Sequence, residues 1–215
     1  RHRRLHRREF VDELDVAMAD TGTAERFDAA FFERFYGRRP VHTRRQIGHL
    51  ADGVISLASW WRIPIRSVLD VGAGKGYWRD WLAITHPSVR YHGIDGSEYA
   101  CRRYNHELAD VAVWKPRRKH DLVVCQSVLQ YLDDADATKA IVTLTAACRG
   151  LLLFDAPTIA DRDTVIDPAS TDLDVHWRTG DWYRRRLTRG FTEIGGGLWL
   201  SRECPAALYE LEQAR

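Results

Sequence analysis

Asp70, Gly72, Gly74 and Gly76 fall within the stretch LDVGAGKGYW (69–78), at the end of an apolar run. An acid followed by closely spaced glycines is what a strand–turn–helix junction needs to bring backbone N–H groups and a helix N-terminus against a nucleotide-like ligand. The spacing narrows the choice of ligand. A dinucleotide fingerprint asks for glycine at the first, third and sixth positions of the turn. Here those are Gly72, Gly74 and Tyr77, and the third glycine, Gly76, comes one place early. A tyrosine where the helix must pack close to the sheet fits a nicotinamide dinucleotide badly. The turn also lacks the Gly-Lys-Ser/Thr of an NTPase phosphate loop.

Two more acids extend the pattern. Asp95 ends the run YHGID (91–95), where a carboxylate can accept both hydroxyls of a ribose. Asp110 and Val111 lie in the short run ADVAVW (109–114), where an acid can take an adenine amino group and a backbone N–H can meet the ring. Asp70, Asp95 and Asp110 thus stand at the ends of three successive strand-like runs. A row of acids repels the phosphates of a dinucleotide and suits a ligand carrying an ammonium and a sulfonium.

Such a row exists only if the strands lie side by side. From residue 66, short apolar runs alternate with helical stretches: SVLDV, then 76–85; VRYHGID, then 97–107; ADVAVW; DLVVCQSV, then 136–147; GLLLFD, then a loop and a helix near 180–188. Strands alternating with helices predict right-handed crossovers and a mostly parallel sheet covered on both faces. EIGGGLWLS and AALYELE read as two strands joined only by Arg202–Pro205, which predicts an antiparallel C-terminal hairpin. Before the sheet, helical periodicity covers 9–18, 24–36 (Phe27, Phe31 and Phe35 on one face) and 43–61, with Pro64 ending the last. The reading is therefore an α/β, three-layer, Rossmann-like fold with a seven-stranded sheet. Residues 1–62 form an N-terminal helical cap lying across the open end, within the same domain as a core over 63–215.

In order and spacing, LDVGAGKG (69–76), YHGIDGS (91–97), ADV (109–111), DLVVCQSVLQYLDD (121–134), GLLLFDAP (150–157) and the closing hairpin resemble the class I S-adenosylmethionine-dependent methyltransferases over roughly residues 64–212. The resemblance implies S-adenosyl-L-methionine as cofactor and S-adenosyl-L-homocysteine as product. It implies that Asp70 and the Gly72–Gly74–Gly76 turn face the methionine part, and that Asp95, with Gly96 and Ser97, holds the ribose. It further implies that Asp110 and Val111 hold the adenine, and that Gln126 and Ser127 lie beside the transferable methyl. In such enzymes an N-terminal helix folds over the cofactor, which makes Tyr36 a contact as readily as a core residue.

The stretch 155–178 carries Asp155, Asp161, Asp163, Asp167, Asp172, Asp174 and His176 on the substrate side of this fold. Asp and His together suggest a divalent metal that would orient a hydroxyl pair, but their spacing matches no metal-ligand motif, so a solvated acidic loop is the better reading and no metal ligand is assigned. Asp155, at a strand end, and His176 are the candidate bases for an acceptor that must lose a proton. The run DWYRRRL (181–187) reads as a charged helix face. CQSV replaces the Asn-Pro-Pro-Tyr type motif of amino-methylating nucleic-acid and glutamine enzymes, which favours a small-molecule acceptor methylated on oxygen rather than nitrogen. Two other readings stand beside this one. A nicotinamide-dependent reductase is disfavoured by Tyr77 and by the lack of a Tyr-x-x-x-Lys pair; a non-catalytic member of the fold is the other.

Composition sets the outer bounds. With 215 residues, 45% hydrophobic, 29% charged and a net charge of +2, the chain is an ordinary globular protein and no polyanion binder. Five of the first eight residues are Arg, which reads as a solvated end rather than a nucleic-acid arm. No apolar run approaches the roughly 18–20 residues of a membrane span, and no signal-peptide pattern is present. Four separated cysteines predict free thiols in a reducing, cytoplasmic compartment. No motif sets an oligomeric state.

Overall fold

The computed structural model describes residues 26–214. The helix expected over 9–18 and the arginine-rich start lie outside them. The first described helix, α1 (Ala29–Tyr36), starts later than the periodicity predicts because Asp28 caps it, accepting the Phe31 N–H at 2.9 Å. Helix α2 (Arg44–Trp60) opens on a capping box between Thr43 and Gln46. Then come β1 (Ser67–Val71), α3 (Tyr77–Thr85), β2 (Arg90–Asp95), α4 (Glu98–Tyr104), β3 (Glu107–Leu108) and β4 (His120–Gln126). The chain continues through α5 (Asp134–Ala147), β5 (Cys148–Asp155), α6 (Ile159–Arg162), α7 (Gly180–Leu187), β6 (Phe191–Gly195) and β7 (Leu198–Ser201).

The seven strands form one sheet in the order β3-β2-β1-β4-β5-β7-β6. All neighbours pair in parallel except β7, which runs antiparallel to both β5 and β6. Alternate strand residues fill two cores. Leu69, Val71, Val123, Cys125, Leu152 and Phe154 meet α5 and α7 on one face, around Ile141, Leu144 and Leu187. Val68, Leu122, Val124, Leu151 and Leu153 meet α2 and α3 on the other, around Ala51, Val54, Ala58, Trp78 and Leu82. Helix α2 therefore packs on a face of the sheet and reaches the carboxyl edge of the strands only through Ile47 near its start, whereas α1 lies over that edge.

Two strand expectations are corrected. ADVAVW is not a strand: the Asp110 side chain accepts the Ala112 N–H at 2.9 Å and its carbonyl takes the Val113 and Trp114 N–H groups. This local turn outcompetes β propensity, and β3 lies just upstream. The closing hairpin also sits earlier than expected. It turns at Gly195, Gly196 and Gly197, all at positive φ, so both strands come from FTEIGGGLWLS. AALYELE forms no strand; it follows β7 and ends in a 3₁₀ turn at Glu210–Glu212.

Candidate active site

The sheet order reverses between β1 and β4, and the crevice at their carboxyl ends is where an open α/β sheet binds ligands. Two cavities meet there. The smaller, about 420 Å³, is bounded by Val71, Gly72, Gly74, Ile94, Asp95, Gly96, Asp110 and Val111. Phe27, Phe31, Phe32 and Tyr36 cover it. The larger, about 770 Å³, runs from Asp70 and the glycine turn past Tyr77 and Trp78 to Asp155 and the segment 156–172. Tyr36, Gly72, Gly74, Gln126, Ser127 and Tyr131 wall both cavities.

On the smaller side, main-chain geometry does most of the building. Gly72 has φ +69°, and a Cβ there would lie 2.3 Å from Val128 Cγ2, so only glycine fits between β1 and the β4 loop. The Asp95 carboxylate accepts the Gly74 and Ser97 N–H groups at 2.8 Å each, which fixes it at the rim. Burial nevertheless raises its proton affinity, and those two bonds oppose the rise. Asp70 is 4% exposed; burial pushes its carboxyl up to about 7 against a 2.7 Å bond from the Tyr91 hydroxyl. Tyr36, held among acids and largely desolvated, is pushed up to about 12 and stays a neutral phenol.

On the larger side, sheet register places Gln126 beside Asp155. The Gln126 amide nitrogen and the Ser127 hydroxyl each donate to Asp155 at 3.4 Å, and the Ser127 N–H donates to the Asp155 carbonyl at 2.8 Å. Ser127 holds φ +54°, a strained conformation for a residue with a side chain and one that recurs at functional turns. Burial raises the Asp155 proton affinity, with His42 among the groups opposing it. The other acids of this wall are already engaged. Asp161 accepts from Thr158, Asp167 from Ala169 and Ser170, and Asp172 pairs with Arg26 at 2.9 Å. Among the described residues no group of three or more His, Cys, Asp or Glu side chains could hold a metal ion.

Most of the residues singled out from sequence therefore gather at one crevice: Tyr36, Asp70, Gly72, Gly74, Asp95, Gly96, Asp110, Val111, Gln126, Ser127 and Asp155. Three stand apart. Gly76 begins α3 without lining either cavity. Ser97 is fully buried, caps α4 and donates to the Phe27 carbonyl, so its hydroxyl holds α1 in place rather than facing the cavity. His176 is exposed and lines neither cavity; its backbone N–H bonds the Gln130 carbonyl at 2.8 Å, so the structure does not bring its ring to Asp155. Tyr77 faces the larger cavity, and the neighbouring Trp78 is what packs against the sheet.

Some contributors gave no recognisable signal. Arg178 is 4% exposed and ties down the loop after β4, donating to the Leu129 and Leu132 carbonyls at 2.9 and 2.5 Å and to Asp134 at 2.8 Å. Lys75 donates to the Tyr36 carbonyl at 2.5 Å and so clamps α1 to the glycine turn. The Phe27–Phe31–Phe35 stripe was visible as a helix face, but nothing in it distinguished a cavity roof from ordinary core.

A smaller cavity with a carboxylate at its rim, an aromatic roof and a glycine turn at its floor has the features a nucleoside-type cofactor needs in an α/β fold. A family model described as a methyltransferase domain matches residues 24–191, and the chain belongs to that family. Its sheet is the class I methyltransferase fold, and members of that class use S-adenosylmethionine as methyl donor. Trans-aconitate 2-methyltransferase from Methylobacterium radiotolerans is 28% identical over 160 residues, which are 70% of this chain and 58% of that protein. The chain thus spans less than two thirds of the length of this relative. Among solved structures, magnesium protoporphyrin IX methyltransferase from Synechocystis PCC 6803 with S-adenosylmethionine bound superimposes with a TM-score of 0.54 at 20% identity, over 82% of this chain and 88% of that one. An O-methyltransferase-like protein from Nostoc punctiforme gives 0.55 at 17%, over 74% and 58%. At such identities the likeness is one of fold. Family membership displaces the nicotinamide-reductase reading. No described helix is long and apolar enough to cross a membrane.

Proposed function

We propose that the chain transfers a methyl group from S-adenosylmethionine to a small-molecule acceptor, on oxygen in preference to nitrogen, with α1 acting as a cap over the carboxyl ends of the strands. The observation that carries this is the meeting of the two cavities at Gln126 and Ser127, with Asp95 on one side and Asp155 on the other. The residues suit the cofactor: the Asp95 carboxylate can accept from ribose hydroxyls, Asp110 and Val111 can flank adenine, and Asp70 with the Gly72–Gly74 turn can face the methionine end. The cofactor supplies an electrophilic methyl on a positively charged sulfur, so the leaving group needs no acid.

The protein's task is mainly alignment, which can lower a barrier by on the order of 7–11 kcal/mol. Phe27, Phe31, Phe32 and Tyr36 cover the smaller cavity with apolar surface. Gln126 and Ser127 set the boundary that the methyl crosses. Asp155, its proton affinity raised by burial, would take the proton of an acceptor hydroxyl as the oxygen gains the methyl. A finite 770 Å³ cavity suits a metabolite-sized acceptor, and the acids along its wall disfavour a nucleic-acid backbone. The named relative also acts on a small molecule, trans-aconitate.

Labelled-methyl turnover with a panel of small hydroxy, carboxy and amino compounds, set against RNA and protein, tests the reading. Transfer to a small oxygen nucleophile is expected. Label appearing only in macromolecules would overturn it.

A further inference from the structure

Trp78 lies at the first turn of α3, 4% exposed, with its ring in the core against α2 and β4. Its one polar atom, the indole N–H, is a donor only. It donates to Gln126 Oε1 at 3.0 Å. A primary amide held by its oxygen must present its NH₂ end on the other side, and there Gln126 Nε2 lies 3.4 Å from Asp155 Oδ2. Left to itself, a glutamine could offer a carboxylate either end of its amide. The indole removes that freedom.

We propose that Trp78 is a positioning residue: its N–H locks the Gln126 amide so that a donor always faces Asp155, which keeps that carboxylate an acceptor of protons within the acceptor cavity. The relay crosses three elements, α3, β4 and β5, and parallel register fixes its last step by pairing Gln126 with Asp155. The Ser127 hydroxyl serves the other carboxylate oxygen, Oδ1, so each oxygen has one donor and spare lone pairs toward the cavity. Without the indole N–H, the amide can turn its oxygen toward Asp155. That contact repels the ionised carboxylate, so Asp155 would hold its proton to higher pH.

The significance of the relay rests on reading Asp155 as the base, but its existence is tested without any acceptor. In full-length protein labelled with ¹³C at aspartate carboxyls, the Asp155 signal is assigned by its loss in Asp155→Asn, and its titration is followed in each variant. Trp78→Phe keeps an aromatic ring in the core and removes only the donor. Its Asp155 midpoint should rise by roughly 0.5–1 pH unit. Gln126→Glu leaves Trp78 untouched and sets a second carboxylate beside Asp155, so its midpoint should rise further. In a Gln126→Ala background, Trp78→Phe should add no further shift, because its influence passes through that amide. An unchanged midpoint in Trp78→Phe, or shifts that simply add in the double variant, would overturn the proposal. If instead Asp155→Asn retains full methyl transfer, the base reading fails while the titrations still decide the relay.

Discussion

The two cavities are built by different means. Around the smaller one, every wall except the aromatic roof comes from strand ends and turns within residues 70–132, and the fixed geometry is largely main chain: the Gly72 turn and the backbone donors at Gly74 and Ser97. Around the larger one, the wall shares Asp70 and the glycine turn with the β1 end but is otherwise gathered from α1, the loop to α2 and Ile47 at its start, the start of α3, the ends of β4 and β5, and residues 156–172. Its acids mostly satisfy neighbours in their own loop, and Arg26, just ahead of α1, pairs with the loop through Asp172. A pocket built from backbone at strand ends accepts one ligand and tolerates little change. A pocket built from side chains on remote segments can be reshaped without disturbing the sheet. On the proposed function, this is a division between a methyl-donor pocket and an acceptor pocket.

The division has measurable consequences. Asp155→Asn should lower kcat by about 10²–10⁴-fold, as expected on removing a general base, and leave cofactor affinity within about twofold of wild type. Isothermal calorimetry beside turnover separates the two effects. A large loss of cofactor binding instead would mean that the halves are not independent.

Asp70 tests what the donor half costs the fold. Its folded proton affinity is raised to about 7 from an unfolded value of 3.8, so the protonated form is the one the fold prefers. Stability from this group is therefore complete below about pH 4 and is lost progressively as pH rises toward 7. Asp70→Asn, which can still accept from Tyr91, should equal wild type near pH 4 and exceed it at pH 8 by up to roughly 4 kcal/mol in urea unfolding. Parallel stability curves across that range would show that Asp70 carries no such cost.

Asp95→Ala removes a buried carboxylate and the acceptor of two backbone N–H groups. S-adenosylhomocysteine should bind about 100-fold more weakly by calorimetry. The smallest effect is expected at His176. Exposed, and working through its main chain, it should tolerate alanine with less than about twofold change in kcat. A drop comparable to that of Asp155→Asn would restore it to the acceptor half.

The donor half was legible because its signals are local. Asp70 and its glycines lie within a few residues of one another, and Asp95 and Asp110 mark the ends of the next two runs. Each residue type is demanded by backbone geometry at its own position, so linear spacing carries the information. The two misplaced strands failed for related reasons. At ADVAVW a side-chain turn outcompeted an apolar pattern, and at the C-terminus three glycines that permit positive φ outweighed the apparent break at Arg202–Pro205. The acceptor half offered only a run of acids and one histidine. Asp155 could be separated from Asp161, Asp167 and Asp172 only by its place at a strand end; that the others are engaged by partners within the loop and by Arg26 was not visible in the sequence.

Order along the chain by itself determined the alternation of strands and helices, the single antiparallel strand, the glycine turn and the acids beside the donor, since strand ends and tight turns impose their residue requirements over a few positions. Only the tertiary structure decided that Trp78 reaches Gln126, that Arg178 supports the loop after β4, that Ser97 and His176 face away from the cavities, and that the phenylalanines of α1 form a roof. Those contacts join residues tens of positions apart, and their energy comes from burial and from hydrogen-bond partners that exist only once the sheet has brought them together.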